Sequence, residues 1–216
     1  MTRQAMPGPR RRKREAEVLD AAIEVFWRKG YSAASIQEVA DRVGVLKGSL
    51  YYYIRSKEDL LARIIDEVHR ESTDILDEVL GLELSAIDRV RIHIERHVEW
   101  YLDNLKQVSV FFREWRHLSG ERLDTVMERR RGYDRAVRDM IAAAQASGDV
   151  SVDVEPKYAS LYVLAAVNAV PDWFNRSGTD SARVVAESYA AMTVALLRGN
   201  TARPIAASPG ARLSDE

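Results

Sequence analysis

The sequence predicts an all-α protein, and three observations carry that prediction. Glycine and proline are few, 11 and 6 in 216 residues, and the alternating β-branched runs that make strands are rare. Apolar residues recur at i, i+3, i+4 and i+7 along most of the chain. Several of these stretches open on Ser-x-x-acid, which can cap a helix, and close on glycine. With 46% hydrophobic residues the chain can bury a sizeable core, as one helical unit or as a small domain joined to a larger one.

Residues 1–11 are Pro/Gly-punctuated and then basic, and are expected to form a disordered arm. A first helix is expected from about Arg12 to Lys29, with Val18, Leu19, Ala22, Ile23 and Phe26 as its buried stripe and Gly30 as its end. Ser35 can cap a second helix with Glu38 as its capping-box partner, while Ile36, Val39, Ala40 and Val43 share one face. Gly44 supplies the left-handed backbone that ends this helix in a tight turn. Val45 and Leu50 seat a third short helix against the second, which leaves Lys47, Ser49, Tyr51 and Tyr53 outward. Two short helices at such a turn, the second with its polar groups exposed, spell a helix-turn-helix able to enter a DNA major groove. These elements give a three-helix domain over residues 12–57.

A second capping box, Ser56 with Asp59, starts a fourth helix that buries Leu60, Leu61, Ile64, Ile65 and Val68 and runs to about Leu80 as a connector. Ser85 with Asp88 starts a fifth, to about Leu105. A shorter helix follows around Val108–Leu118, then a long one from about Glu121 to Ser147, ended by Gly148. The VSVDVEP segment is a linker to Pro156 at a helix start. Tyr158–Val170 and Val184–Leu197 are apolar nearly all round, and a helix of that kind must be buried on every side. In a chain this small, that predicts pairing with a second copy through the last two helices. Residues 58–198 are thus expected to form a larger ligand-binding and dimerisation domain, and residues 199–216, rich in Pro, Gly and Ser, a disordered tail.

The net charge of −1 hides a division. Residues 1–57 hold twelve Lys/Arg against six Asp/Glu, and the remainder holds twenty against twenty-seven. Positive charge is therefore concentrated where neutralising DNA phosphates would favour binding. The run Arg10–Arg14 reads equally as a solvated tail or as a basic arm along the DNA backbone or minor groove. The chain has no cysteine, which excludes disulfides, thiolate metal sites and cysteine nucleophiles. No stretch approaches the ~18 consecutive apolar residues of a membrane span, and no apolar signal core follows the N-terminal basic residues. The expectation is a soluble cytoplasmic protein.

Residues 44–61, GVLKGSLYYYIRSKEDLL, resemble the DNA-binding domain of the TetR family of one-component bacterial regulators. There a Leu-Tyr-aromatic-His-Phe run precedes Ser-Lys-Glu-x-Leu; here Tyr53 and Ile54 replace the usual His and Phe, and residues 12–65 are covered. The resemblance implies a homodimeric repressor on a pseudopalindromic operator, not an enzyme, with no cofactor. Carried over by position, Lys47, Ser49 and Tyr53 would approach base edges, and Ser35, Gln37, Tyr51, Tyr52 and Lys57 would hold phosphates, Lys57 at its helix N-terminus. It also implies a dimer through a four-helix bundle of the last two helices.

The C-terminal part is similar to the acyl-CoA-responsive branch of that family in two places. One is an E-x-x-R(-R) stretch within residues 114–141; the other is the Trp-aromatic-x-x-x-Gly corner Trp173–Gly178. Arginine forks suit phosphates and an aromatic-aliphatic tunnel suits an acyl chain. Trp100, Phe111, Trp115, Arg129, Arg130, Asn168, Trp173 and Phe174 are the candidate ligand contacts, with Pro171 breaking the helix beside the last three. Arg129–Arg131 read otherwise as a solvated face. The rival effector class is a drug or xenobiotic controlling an efflux or detoxification gene. A more distant alternative is a helical enzyme or metal protein using His93, His97, His117 and Glu114, but no HExxH or nucleophile–base motif accompanies them. Pocket-lining or core imidazoles are the plainer reading, and no metal site is expected.

Overall fold

The computed structural model describes residues 9–199. Residues 1–8 and the tail from 200 onward, where the sequence predicts disorder, lie outside the described residues. Among the described residues the chain is helical throughout, with no strand. The helices are α1 (Pro9–Lys29), α2 (Ile36–Val43), α3 (Lys47–Leu50), α4 (Lys57–Leu80), α5 (Ala86–Asp103) and α6 (Leu105–Glu114). A 3-10 turn (Trp115–His117) precedes α7 (Gly120–Ala146), α8 (Pro156–Asn168), α9 (Val170–Trp173) and α10 (Ala182–Arg198).

Most helix ends sit where local chemistry puts them. Ser35 caps α2 by accepting from the Glu38 amide, and the Glu38 carboxylate accepts from the Ser35 amide at 2.9 Å, which completes the box. Gly44 closes the same helix at φ 74°, a left-handed backbone that costs any other L-residue ~1–2 kcal/mol. Ser56 caps α4, but the Asp59 carboxylate accepts from the Arg55 amide, so the second box is not reciprocal. Asp59 is one methylene shorter than glutamate, and Arg63 and Arg122 compete for its oxygens. α1 starts at Pro9, before the expected Arg12, which makes Arg10–Arg14 helical rather than a separate arm. Proline is tolerated in a first turn, and the pairs Arg11–Glu15 and Arg14–Glu17 prolong the helix. Pro171 acts as expected: α8 stops at Asn168 and α9 is a single turn.

One buried cluster runs from Val18, Phe26 and Val39 through Leu50, Leu61 and Ile64 to Ile94, Phe111, Val167 and Ala190. The helix-turn-helix domain and the C-terminal helices therefore share a core, with α4 as its spine. A second cluster, around Leu76, Ile87, Ile141, Val154 and Leu197, closes the far end. α5 packs against α4, α7 and α10, and α1 packs against α2, α4 and α6.

Candidate nucleic-acid interface and interior chamber

The turn at Gly44 leads from α2 into α3, and the buried Leu50 and Ile54 anchor that segment. α3 itself has only four residues, so Tyr51–Tyr53 lie in the turn that follows it rather than in the expected longer helix. Lys47 is exposed, Ser49 half-buried, Tyr51 50% exposed and Tyr52 80% exposed. Tyr53, expected to point outward, is half-buried and packs on the core, in a crevice shared with Val18, Leu19 and Leu60. Successive side chains in a tight turn point in different directions, and Tyr52 takes the outward one. Leu46, at the start of α3, is 80% exposed, and the periodicity had given it no role.

The expected phosphate contacts are partly engaged within the chain. Ser35 is committed to Glu38, and the Gln37 amide donates to Asp41 at 2.7 Å. Lys57 is half-buried: its Nζ donates to the Ser32 carbonyl at 3.2 Å and lies 4.4 Å from the centre of the Tyr31 ring. Burial holds the Lys57 ammonium below its ordinary pKa, although Glu114 and Glu38 pull the other way.

Polar contacts tie the helix-turn-helix domain, and the start of α4 that follows it, to the remaining helices. Glu24 on α1 is 6% exposed and pairs with Arg28 at 2.7 Å, with Arg42 of α2 at 3.7 Å, and with Lys106 of α6. The Lys106 hydrogen bond holds the Glu24 carboxyl below its usual range against the burial that would raise it. On the other side, Glu58 at the start of α4 accepts from the Ser119 amide and hydroxyl at 3.0 Å, and Arg122 of α7 reaches Asp59 at 3.3 Å.

Inside the C-terminal helices lies a chamber of about 40 Å³ lined by His69, Ser72, Tyr101, Phe111, Phe112, Arg130, Tyr133, Asp134, Leu164 and Asn168. Phe111, Arg130 and Asn168, three of the expected ligand contacts, are among the residues lining this chamber. Trp115 adjoins it, because the Arg130 guanidinium sits 5.0 Å from that ring and 5.7 Å from the Phe111 ring. The other expected contacts are elsewhere. Arg129 pairs with Asp66 on the outer side of α7, since adjacent helical residues point about 100° apart. Trp100 packs near His97, Trp173 is half-exposed against Tyr189, and Phe174 lines an open cleft between α1 and the α5–α6 turn.

The lining residues outside the expected set are His69, Ser72, Tyr101, Phe112, Tyr133, Asp134 and Leu164. A signal existed for one of them: His93, His97 and Tyr101 repeat at i, i+4, i+8, a polar stripe on an otherwise apolar face. His93 and His97 are each 1% exposed, and the Tyr133 hydroxyl bridges them, 3.0 Å from His93 Nε2 and 2.7 Å from His97 Nδ1. Burial drives both imidazoles to low pKa, His93 to about 4, and raises the Tyr133 phenol well above its ordinary value. His117 and Glu114 are not in this group; His117 sits at the surface with Ser32 and Glu114.

α8 and α10 carry an apolar face that no other described residue covers: Tyr158, Leu161, Tyr162, Val184, Met192 and Leu196 are 36–66% exposed. The two helices are buried on one side only. No helix among the described residues is long and apolar enough to cross a membrane.

Residues 18–64 match the family described as bacterial regulatory proteins, tetR family, and residues 83–197 match a tetracyclin repressor-like C-terminal domain. The chain is 21% identical over 164 residues to the fatty acid metabolism regulator protein of Bacillus subtilis, covering 76% of this chain and 84% of that protein. It is 24% identical over 192 residues to the transcriptional repressor KstR2 of Mycolicibacterium smegmatis, with 84% and 89% covered. Among solved structures it resembles a tetR-family regulatory protein from Rhodococcus RHA1, with a TM-score of 0.78, 27% identity and 86% and 97% of the two chains covered. It also shares its fold with AibR in complex with isovaleryl coenzyme A and operator DNA, with a TM-score of 0.75, 23% identity and 86% and 98% covered.

Proposed function

Because the chain belongs to the TetR family of bacterial transcriptional regulators, we propose that it is a homodimeric repressor released from a pseudopalindromic operator by an acyl-CoA thioester. The family is one of regulators, so the helical-enzyme alternative falls away. The observation that carries the reading is the single core joining the reading head to the chamber through α4 and α6. A ligand in the chamber cannot move those helices without moving α1.

In this reading Lys47 and Ser49 face base edges, and Tyr51 and Tyr52 lie on the backbone beside them. Ser35, Gln37 and Lys57 reach phosphates after giving up their present partners. Tyr53 braces α3 from behind instead of reading bases. The dimer forms through the exposed apolar face of α8 and α10, whose extent in a lone chain marks an interaction surface.

Ligand sites of this kind hold roughly 300–1,000 Å³, so a chamber of about 40 Å³ must swell to admit an effector. Release is then a preference for the swollen state, in which the two heads no longer match the half-site spacing. The acyl-CoA class is supported by the Arg-rich α7, by the aromatic chamber, by similarity to a protein named for fatty acid metabolism, and by a shared fold with a regulator solved with isovaleryl coenzyme A. The coenzyme phosphates would stay in water near the exposed Arg129 and Arg131.

The test is selection of bound sequences from random DNA by the purified protein, followed by titration of the selected operator complex with acyl-CoA thioesters. An inverted repeat that long- or short-chain acyl-CoA displaces is the expected result. Selection without an inverted repeat would remove the dimeric repressor reading. Failure of every thioester up to about a millimolar, where binding is only ~4 kcal/mol, would remove acyl-CoA as effector.

A further inference from the structure

The chamber is too polar for a plain hydrocarbon. Arg130 Nη1 is buried without a hydrogen-bond partner among the described residues, although the guanidinium lies near the Phe111 and Trp115 rings. The Tyr101 hydroxyl donates to Asn168 Oδ1 over 3.3 Å, long for an O–H···O bond and so easily exchanged. Behind Tyr133, outside the chamber lining, lies the histidine pair. A phenol has one proton, so Tyr133 donates to one imidazole and accepts from the other. His93 Nδ1 and His97 Nε2, the far nitrogens, have no partner, so one is an unmet N–H and the other an unmet lone pair, whichever tautomers are present.

A buried donor left unsatisfied is costly, and a methylene chain pressed against Arg130 would make the cost permanent. An oxygen on the ligand would meet the Arg130 donor and replace the weak Tyr101–Asn168 bond. Charge narrows the class further. Asp134 lines the same chamber as Arg130, so the cationic and anionic groups balance and an added carboxylate would face Asp134.

We propose that the chamber takes the interior end of the effector through a neutral oxygen, a ketone or hydroxyl borne on an otherwise apolar acyl or ring group, with Arg130 as its anchor and Tyr101 as the adaptable partner. This rests on the reading of the chamber as the effector site of an acyl-CoA-released repressor.

Three matched probes test it: decanoyl-CoA, decanoyl-CoA bearing a ketone at its penultimate carbon, and sebacyl mono-CoA, which ends in a carboxylate. Binding is followed by the fluorescence of Trp115 and the other tryptophans, and release by anisotropy of labelled operator. The keto thioester should bind and release at least tenfold better than the other two. That advantage should vanish in Arg130→Met and shrink in Tyr101→Phe, with operator affinity in the absence of thioester unchanged. Tyr101→Phe keeps the ring and its packing, so it reports even if Arg130→Met folds poorly. Decanoyl-CoA acting as well as the keto form overturns the proposal and leaves the repressor reading intact. Sebacyl mono-CoA acting best overturns the neutral-oxygen assignment. If no thioester binds or releases, the acyl-CoA reading itself fails and the proposal fails with it.

Discussion

Acidification should destabilise this protein well before its carboxylates protonate, and the cause is the buried histidine pair. In the unfolded chain each imidazole takes up a proton as pH falls below about 6.5. In the folded chain His93 refuses it until about 4, because burial penalises the imidazolium. Between those values the unfolded state binds more protons, so stability is lost as pH falls. At pH 5 the deficit is about 1.5 pH units for His93 alone, or ~2 kcal/mol at ~1.4 kcal/mol per unit. His97, lowered by burial and then by its neighbour, adds in the same direction. For a chain of this size ~2 kcal/mol lowers the melting temperature by roughly 4–8 °C. Glu24, Glu38 and Glu58 are held below their usual range, so their contributions are lost only at lower pH. Asp134 and Glu67, raised by burial, work the other way. Urea unfolding at pH 8 and pH 5 of the parent and of His93→Gln/His97→Gln removes these other groups by difference. The parent should lose at least ~2 kcal/mol more than the double variant. Equal losses would mean that the two imidazoles are not buried and neutral, and the Tyr133 bridge would go with them.

Four further outcomes follow from the same geometry. Lys47→Ala and Tyr52→Ala should each weaken operator binding by ~1–3 kcal/mol with unchanged helix content, measured by anisotropy at fixed salt; parent-like affinity would dislodge α3 from the groove. Tyr162→Glu or Met192→Glu should give monomer or aggregate in light scattering, because a charge would enter the proposed apolar interface, and a clean dimer would move that interface elsewhere. Gly44→Ala forces a side chain into φ 74° and should lower unfolding stability by ~1–2 kcal/mol; a neutral effect would contradict the left-handed turn. Lys106→Met removes a cation from buried Glu24 but leaves Arg28 and Arg42, so a loss of ~1–3 kcal/mol is expected by denaturant titration, and no loss would show that the α1–α6 strap carries no stability.

Most of the helices and many of their ends were legible in the sequence, because a cap or a terminating glycine acts within a turn or so of chain. Ser35 with Glu38, Ser85 before Asp88, Gly44, Gly148 and Pro156 act on neighbours up to four residues away, and each does in three dimensions what its spacing implied. The apolar stripe of α1 and the core face of α4 were equally plain, since a 3.6-residue period is a local property. What needed the fold was the direction of individual polar side chains. Arg129 and Arg130 are adjacent in sequence, yet one meets Asp66 and the other enters the chamber. Tyr52 and Tyr53 differ in the same way, and Lys57 turns inward to a carbonyl 25 residues away. The histidine pair was read as core or pocket-lining, but its bridge comes from Tyr133, 36 and 40 residues distant. Capping and periodicity are short-range energies that a sequence states outright. The environment that selects a rotamer, hides a charge or leaves a donor unmet is assembled by packing between elements far apart in the chain, and it exists only once they have come together.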